Sequence, residues 1–186
     1  MANRVRIATF AGTPFDVDHH SPYETVARAC LEHWRRRFDE VLPDQPHLLV
    51  LPEYASVPRS YDELGDEPAK LLEYCAHLGD RLLDLCRETA RAQRATLVCS
   101  QLRRLEGGRW YNASTVIGPD GGELGVYCKN HLYLPESTVT GCQYGTSAEL
   151  IAAPFGKLGC AICFDLNFEE LRHQYERSRP DLLRRG

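Results

Sequence analysis

The stretch HLLVL, residues 47 to 51, is the feature that most restricts how this chain can fold. It runs apolar without the polar alternation of a half-exposed strand, and Pro52 closes it. A strand of this kind is typically buried on both faces, as in a parallel sheet with other layers packed above and below it. The segment therefore predicts an inner strand of a covered sheet.

Strand and helix patterns alternate along the rest of the chain. Apolar residues recur either at every second position or along one face of a helix. Strands are predicted at residues 4–10, 95–102, 109–118, 122–129, 148–154 and 157–163, and helices at residues 24–42, 67–92 and 167–177. The order of strand, helix, strand, helix and then a meander predicts a mixed sheet with helices outside it.

Composition argues against several classes of function. A net charge of -4 provides no basic surface for nucleic acid or an anionic membrane. The first residues lack a signal-peptide apolar region, and no later apolar run approaches the length of a membrane span. Eight cysteines without an export signal are expected to be reduced thiols. We therefore expect one soluble, cytoplasmic domain over residues 1–186 that binds neither nucleic acid nor membrane.

Three of the predicted strands end at residues that could carry chemistry. Glu53 follows HLLVLP, Lys129 closes GELGVYCK, and Cys163 closes KLGCAIC. Each residue also has a structural interpretation: a loop acid, a surface lysine at a turn, and a buried cysteine. Because ligands commonly bind beyond the carboxyl ends of strands, all three remain candidates for a functional site.

The spacing of Cys160 and Cys163 admits a zinc knuckle, a redox pair or a single nucleophile. A zinc knuckle requires a tight turn and a thioredoxin-like pair opens a helix, whereas this segment is predicted to be a strand. Residues three apart on a strand face opposite sides, so Cys160 is interpreted as a buried strand residue. Cys163 precedes a helix with a predicted capping box of Asn167 and Glu170, and a thiol near a helix N-terminus tends to have a lowered pKa.

Two groups of residues are possible metal ligands. Four of the cysteines could form a zinc module instead of remaining free thiols. The DVDHH cluster at residues 16–20 could bind a metal instead of forming a polar loop. The cysteines lack a second CxxC or a histidine pair at ligand spacing, so no metal is expected. The residues concerned are Cys128, Cys142, Cys160 and Cys163 in the first group, and Asp16, Asp18, His19 and His20 in the second.

Taken together, three segments resemble the signature blocks of the nitrilase superfamily of carbon-nitrogen hydrolases in order and spacing. They are LLVLPEY around Glu53, YCKNHLYLPE around Lys129 and GKLGCAICFDLNFEEL around Cys163. The resemblance runs from RVRIATF to RPDLL and includes the hairpin YNASTVIGPDG. It implies a four-layer α-β-β-α sandwich with mixed sheets, a Glu-Lys-Cys triad and no cofactor.

The resemblance also implies a role for each residue of the site. Cys163 would attack the substrate, and Glu53 would act as general base and acid. Lys129 and the backbone N–H of Phe164 would bind the oxyanion of the intermediate. Glu136, in YLPES, matches a second glutamate of the family that orients the lysine or the substrate, with a loop acid as the alternative.

The residues after the nucleophile bear on the substrate. Nitrile-hydrolysing members usually have Cys-Trp-Glu, whereas this chain has Cys163, Phe164 and Asp165, which resembles the amidase and carbamoyl-hydrolase branches. The expected substrate is thus a small-molecule amide or carbamoyl compound in preference to a nitrile. A homo-oligomer is also expected.

The segment RPDLLRRG, residues 179–186, lies where members of the family begin another strand of the second sheet. Further strands and a helix follow in those members, and this chain is expected to lack them. The strand KLGCAIC is therefore expected to lack a neighbouring strand on one side. The alternative to an enzyme is a catalytically inactive, truncated remnant that acts, if at all, by pairing with another protein.

Overall fold

The computed structural model describes residues 4–11, 15–18, 20–61 and 68–185, and these fold into eight strands and five α-helices. The strands are β1 (Ile7–Thr9), β2 (Leu48–Val50), β3 (Thr96–Arg104), β4 (Trp110–Ile117), β5 (Glu123–Cys128), β6 (Ile151–Ala153), β7 (Gly156–Ala161) and β8 (Leu182–Arg185). The helices are α1 (Tyr23–Val41), α2 (Pro68–Leu78), α3 (Arg81–Gln93), α4 (Leu134–Thr138) and α5 (Glu169–Ser178).

The first sheet contains five strands in the order β1-β2-β3-β4-β5. The strands β1, β2 and β3 are parallel, and β4 and β5 continue the sheet antiparallel. The prediction for the apolar run is confirmed, because β2 is buried on both faces. Leu49 packs in a cluster with the helices, whereas Leu48 and Val50 pack in a second cluster with residues of β7.

The second sheet contains three described strands in the order β6-β7-β8. The central strand β7 pairs antiparallel with β6 and parallel with β8. The expectation that KLGCAIC lacks a neighbour on one side is therefore wrong. Residues Leu182–Arg185 already form that neighbour, with Cys160 in register with Arg184.

Four layers result from the packing of these elements. Helices α1, α2 and α3 bury apolar side chains against one face of the first sheet, and the second sheet packs on the other face. Helix α5 covers the second sheet through a close approach of Tyr175 to Gly159, where a Cβ would lie 2.9 Å from the tyrosine ring. The predicted α-β-β-α sandwich with mixed sheets is confirmed.

Most predicted elements differ from the observed ones by one to three residues at an end, and two differ in a further respect. The helix predicted over residues 67–92 is two helices, α2 and α3, since Gly79 has a φ of 55° and ends the first helix. The strand predicted over residues 157–163 ends at Ala161, and a short 3-10 helix occupies Cys163–Asn167. Among the described helices, none has the length and apolar character needed to cross a membrane.

Candidate active site

Glu53 lies immediately beyond β2, in a turn that two neighbouring elements hold. The backbone N–H of Ala55 donates to the carbonyl of Ser100 at 2.9 Å, and the indole of Trp34 donates to the carbonyl of Ala55 at 2.7 Å. Tyr54 has a φ of 55°, in the left-handed region that side chains other than glycine rarely adopt. This turn thus directs Glu53 towards the end of β5, where Lys129 lies.

Lys129 follows β5 and is almost completely buried, with 2% of its side chain exposed. Its Nζ lies 2.8 Å from Oε1 of Glu53 and 2.8 Å from Oε2 of Glu136. Burial alone would lower the pKa of Lys129, but the hydrogen bonds and charges of Glu136 and Glu53 outweigh it and raise the pKa. The lysine is therefore an ammonium ion that bridges two carboxylates.

Glu136 lies in the first turn of α4, and four donors surround its carboxylate. Oε1 accepts from the Tyr54 hydroxyl at 2.6 Å and from Nδ2 of Asn112 at 2.7 Å. Oε2 accepts from Lys129 at 2.8 Å and from the backbone N–H of Tyr133 at 2.7 Å. Although burial raises the pKa of Glu136, these hydrogen bonds lower it to below the ordinary value. The carboxylate is thus ionised and has both oxygens occupied.

Asn112 and Tyr54 belong to this network but were missed by the sequence analysis. Asn112 is the third residue of β4, is fully buried and donates from one amide nitrogen to both Glu53 and Glu136, at 2.7 Å each. The sequence does not single out Asn112, because its strand WYNASTVI also contains the polar residues Ser114 and Thr115. Tyr54 is adjacent to Glu53 in sequence, but nothing in the sequence shows that its hydroxyl reaches Glu136.

Cys163 begins the 3-10 helix after β7, and its backbone φ of 44° lies in the left-handed region. Its thiol is exposed, whereas that of Cys160 is 1% exposed in the core, as the sequence analysis predicted for Cys160. The left-handed backbone turns the side chain of Cys163 out of the strand, and the neighbouring Glu53 contributes to the raised pKa of the thiol. Such strained backbone is frequently found at active sites.

The expected lowering of the Cys163 pKa is wrong. Partial burial raises it, the charge and hydrogen bond of Glu53 raise it further, and Lys129 counteracts them only in part. The predicted capping box is also absent, because Asn167 belongs to the 3-10 helix and α5 begins after Phe168 without a side-chain cap. Two carboxylates and one ammonium give the cluster a net charge of about -1, which disfavours a thiolate. Cys163 is thus a neutral thiol beside a base.

Asp165 links the turn that contains Cys163 with the segment that contains Lys129. Its Oδ2 accepts from the hydroxyl of Tyr127 at 2.7 Å and from the backbone N–H of Ile162 at 2.9 Å. Its Oδ1 accepts from the backbone N–H of His131 at 2.8 Å. Because Tyr127 and His131 flank Lys129 in sequence, one buried carboxylate holds the cysteine and lysine segments together.

The possible metal ligands do not converge. No group of three or more His, Cys, Asp or Glu side chains within the described part of the chain could hold a metal ion. All eight cysteines are free thiols, so no disulfide joins Cys160 and Cys163. Of the DVDHH cluster, His19 lies outside the described residues.

The structure thus brings together the four side chains that the sequence analysis selected. Glu53, Lys129 and Glu136 come from the first sheet and its connections, and Cys163 comes from the second. Phe164, whose backbone N–H was the predicted oxyanion donor, follows Cys163 directly, and its ring lies 5.9 Å from that of Tyr133. A thiol, a carboxylate and a buried ammonium group therefore adjoin one another, and groups of these kinds can support acyl transfer.

Known proteins share both the sequence and the fold. The chain is 29% identical over 144 residues to a deaminated glutathione amidase of Synechocystis sp., covering 70% of this chain and 52% of the relative. It is 30% identical over 120 residues to an omega-amidase of Danio rerio, covering 60% of this chain and 43% of the relative. The chain therefore spans about half the length of these curated relatives or less.

Two solved structures share the fold at low sequence identity. A carbon-nitrogen hydrolase from Helicobacter pylori G27 has a TM-score of 0.72 and 17% identity, covering 97% of this chain and 59% of that protein. A double mutant of the amidase from Nesterenkonia sp. AN1, in complex with acrylamide, has a TM-score of 0.69 and 19% identity, covering 100% of this chain and 66% of that protein.

The sequence model of the family described as "Carbon-nitrogen hydrolase" matches residues 18–185, which is most of the chain and includes all four selected side chains. The chain therefore belongs to the carbon-nitrogen hydrolases of the nitrilase superfamily.

Proposed function

We propose that this protein hydrolyses a non-peptide carbon-nitrogen bond in a small-molecule amide or carbamoyl compound, through a thioester on Cys163. The observation that carries the proposal is the position of Cys163 beside Glu53, which helps to raise the pKa of the thiol, while Lys129 bridges Glu53 and Glu136 at 2.8 Å each. Two of the relatives are amidases by name, and the sequence Cys163, Phe164 and Asp165 favours an amide over a nitrile.

Acylation begins with a proton transfer. Glu53 accepts the thiol proton as the sulfur attacks the carbonyl carbon, because the raised pKa of Cys163 leaves little thiolate before substrate binds. The ammonium of Lys129 and the backbone N–H of Phe164 stabilise the resulting oxyanion, and one such donor is typically worth about 10²–10³ in rate. Collapse of the intermediate breaks the carbon-nitrogen bond, and Glu53 returns the proton to the departing nitrogen.

Deacylation repeats these steps with water as the nucleophile. Glu53 takes a proton from water as the water oxygen attacks the thioester carbon, and Lys129 again faces the oxyanion. The intermediate collapses with loss of the Cys163 thiolate, which takes the proton back from Glu53, so the carboxylic acid is released and the free protein is restored. Glu136 has no part in proton transfer, since all four of its donors hold it as an ionised acceptor.

Ammonia release from a panel of primary amides, carbamoyl compounds and nitriles tests the proposal, with Cys163→Ala as the control. We expect turnover of at least one amide or carbamoyl compound, no turnover by the variant, and an acyl adduct on Cys163 by mass spectrometry. Turnover that persists in Cys163→Ala would contradict the mechanism. A folded protein that turns over no compound would support the alternative, a catalytically inactive remnant.

The location and assembly of the protein are further proposals. We infer a cytoplasmic location from the eight free cysteines, which suit a reducing compartment. We infer a homo-oligomer from large apolar side chains that are exposed near the nucleophile, among them Tyr133, Leu134 and Leu166. Light scattering of the purified protein over a range of concentrations tests the oligomer, and a mass of one chain throughout would contradict it.

A further inference from the structure

Asn112 lies at the centre of the site but takes no part in the proposed reaction. Its backbone carbonyl accepts from the N–H of Lys129 at 2.9 Å, so the two residues are neighbours across β4 and the end of β5. Its side chain is fully buried, behind the carboxylates of Glu53 and Glu136. The amide is therefore placed to act on the two carboxylates and on no substrate atom.

The charges around this amide determine which way it points. Both carboxylates accept from Nδ2 at 2.7 Å, whereas Oδ1 is buried and has no hydrogen-bond partner within the described structure. In the opposite orientation, Oδ1 would face two anionic oxygens. The site therefore uses Asn112 as a donor to both carboxylates and leaves its acceptor unpaired, which is unfavourable for a buried group.

The two side-chain donors to Glu53 bind the same oxygen. Lys129 at 2.8 Å and Asn112 at 2.7 Å both donate to Oε1, so neither of these two donors occupies Oε2. Lys129 could satisfy this oxygen from several directions because an ammonium group rotates freely. Asn112 is held in a strand and fixes the plane of the carboxylate.

We propose that Asn112 is a positioning residue that fixes the orientation of the Glu53 carboxylate next to Cys163. The kinetic part of this inference rests on the proposed amide hydrolysis. The structural part does not, because it concerns the hydrogen bond from Asn112 to Glu53 in the free protein. The charged or titratable groups that face Glu53 are Lys129, Glu136, Cys163 and Tyr54.

Asn112→Ala removes a donor to ionised Glu53 and leaves the other groups in place. We expect the acid limb of the kcat/KM profile to move to higher pH, since the variant lacks a hydrogen bond that favours the charged form of a carboxylate. We also expect kcat to fall by about 10²-fold from the loss of orientation, with KM little changed. Asn112→Asp places a third carboxylate next to Glu53 and Glu136, and it should move the acid limb of the kcat/KM profile to still higher pH.

Ser114→Ala is the matched control. Ser114 lies two residues along the same strand, on the same face and equally buried, and its hydroxyl lies 2.7 Å from that of Ser100. This variant removes a buried hydrogen bond outside the site. It should lower the melting temperature and leave the acid limb where it is in the parent protein.

A ¹³C NMR titration of the Glu53 carboxyl group, assigned with Glu53→Gln, provides a readout that requires no turnover. If Asn112→Ala is folded and raises the pKa of Glu53 while Ser114→Ala does not, the proposal is supported, even if no substrate is hydrolysed. A folded Asn112→Ala with an unchanged Glu53 titration would overturn it. If Asn112→Asp does not fold, Asn112→Ala alone decides.

Discussion

Glu136→Gln should destabilise the protein more than the corresponding change at Glu53 does. The carboxylate is 7% exposed and lies 2.8 Å from Lys129. At an effective dielectric constant of about 20, two unit charges at that distance attract by about 6 kcal/mol. Desolvation cancels part of this attraction, and removing one partner of a buried ion pair typically costs about 3–5 kcal/mol. The amide of glutamine would also direct its NH2 group at two of the four donors.

For a chain of this size, 1 kcal/mol corresponds to about 2–4 °C, so we expect the melting temperature of Glu136→Gln to fall by about 6–20 °C. Glu53→Gln is the control. It leaves the pair between Lys129 and Glu136 intact, and Glu53 is 17% exposed, so its effect on the melting temperature should be smaller. Thermal unfolding followed by circular dichroism measures both. A Glu136→Gln melting temperature within 2 °C of the parent, or a larger loss for Glu53→Gln, would refute the reasoning.

The difference between parent and Glu136→Gln should also depend on pH. The folded protein lowers the pKa of Glu136 from its ordinary 4.5, so folding favours the ionised form. The stabilisation is complete above pH 4.5 and is lost as the pH falls through the lowered value. The melting curves of the two proteins should therefore converge below pH 4.5. A difference that stays constant into strong acid would show that packing, rather than charge, accounts for it.

Lys129→Arg should lose nearly as much amide hydrolysis as Lys129→Ala, because a guanidinium does not fit a 2% exposed space between two carboxylates, and near-normal turnover would contradict this. Iodoacetamide should label Cys163 and leave Cys160 unlabelled in peptide maps, because only Cys163 is exposed. Its rate of labelling should still be rising above pH 9, because the pKa of this thiol is raised, and a rate that levels off at neutral pH would contradict the stated cause. Asp165→Ala should lower kcat about 10²-fold, because the turn that contains Cys163 loses its hydrogen bonds to Asp165. An unchanged kcat in a folded variant would show that the turn keeps its conformation without Asp165.

Three residues of the site could be predicted because each follows a strand with an evident apolar pattern. Glu53, Lys129 and Cys163 mark the points where those patterns end, and Glu136 was added by resemblance to the family. Asn112 could not be assigned a role in the same way. Its role depends on the pairing of β4 with β5, which puts it opposite Lys129.

The pKa of Cys163 could not be predicted for a similar reason. A local view of the sequence detects a helix N-terminus after the cysteine and predicts a lowered pKa. The structure adds Glu53, 110 positions earlier in the chain, whose charge acts in the opposite direction and at shorter range. The break between α2 and α3 was hidden because the leucine pattern continues on both sides of Gly79.

The division of the site between two sheets gives the interior of the sandwich an influence on the rate of reaction. Glu53 and Lys129 move with the first sheet, Cys163 moves with the second, and the layer between them contains Val50, Val98 and Leu158. A methyl group added or removed in that layer changes the separation of the sheets and hence the distance from thiol to base. The volume of side chains in this layer, far from any substrate, therefore influences turnover. Hydrostatic pressure compresses the same layer and should affect turnover in the same way as a substitution that reduces side-chain volume.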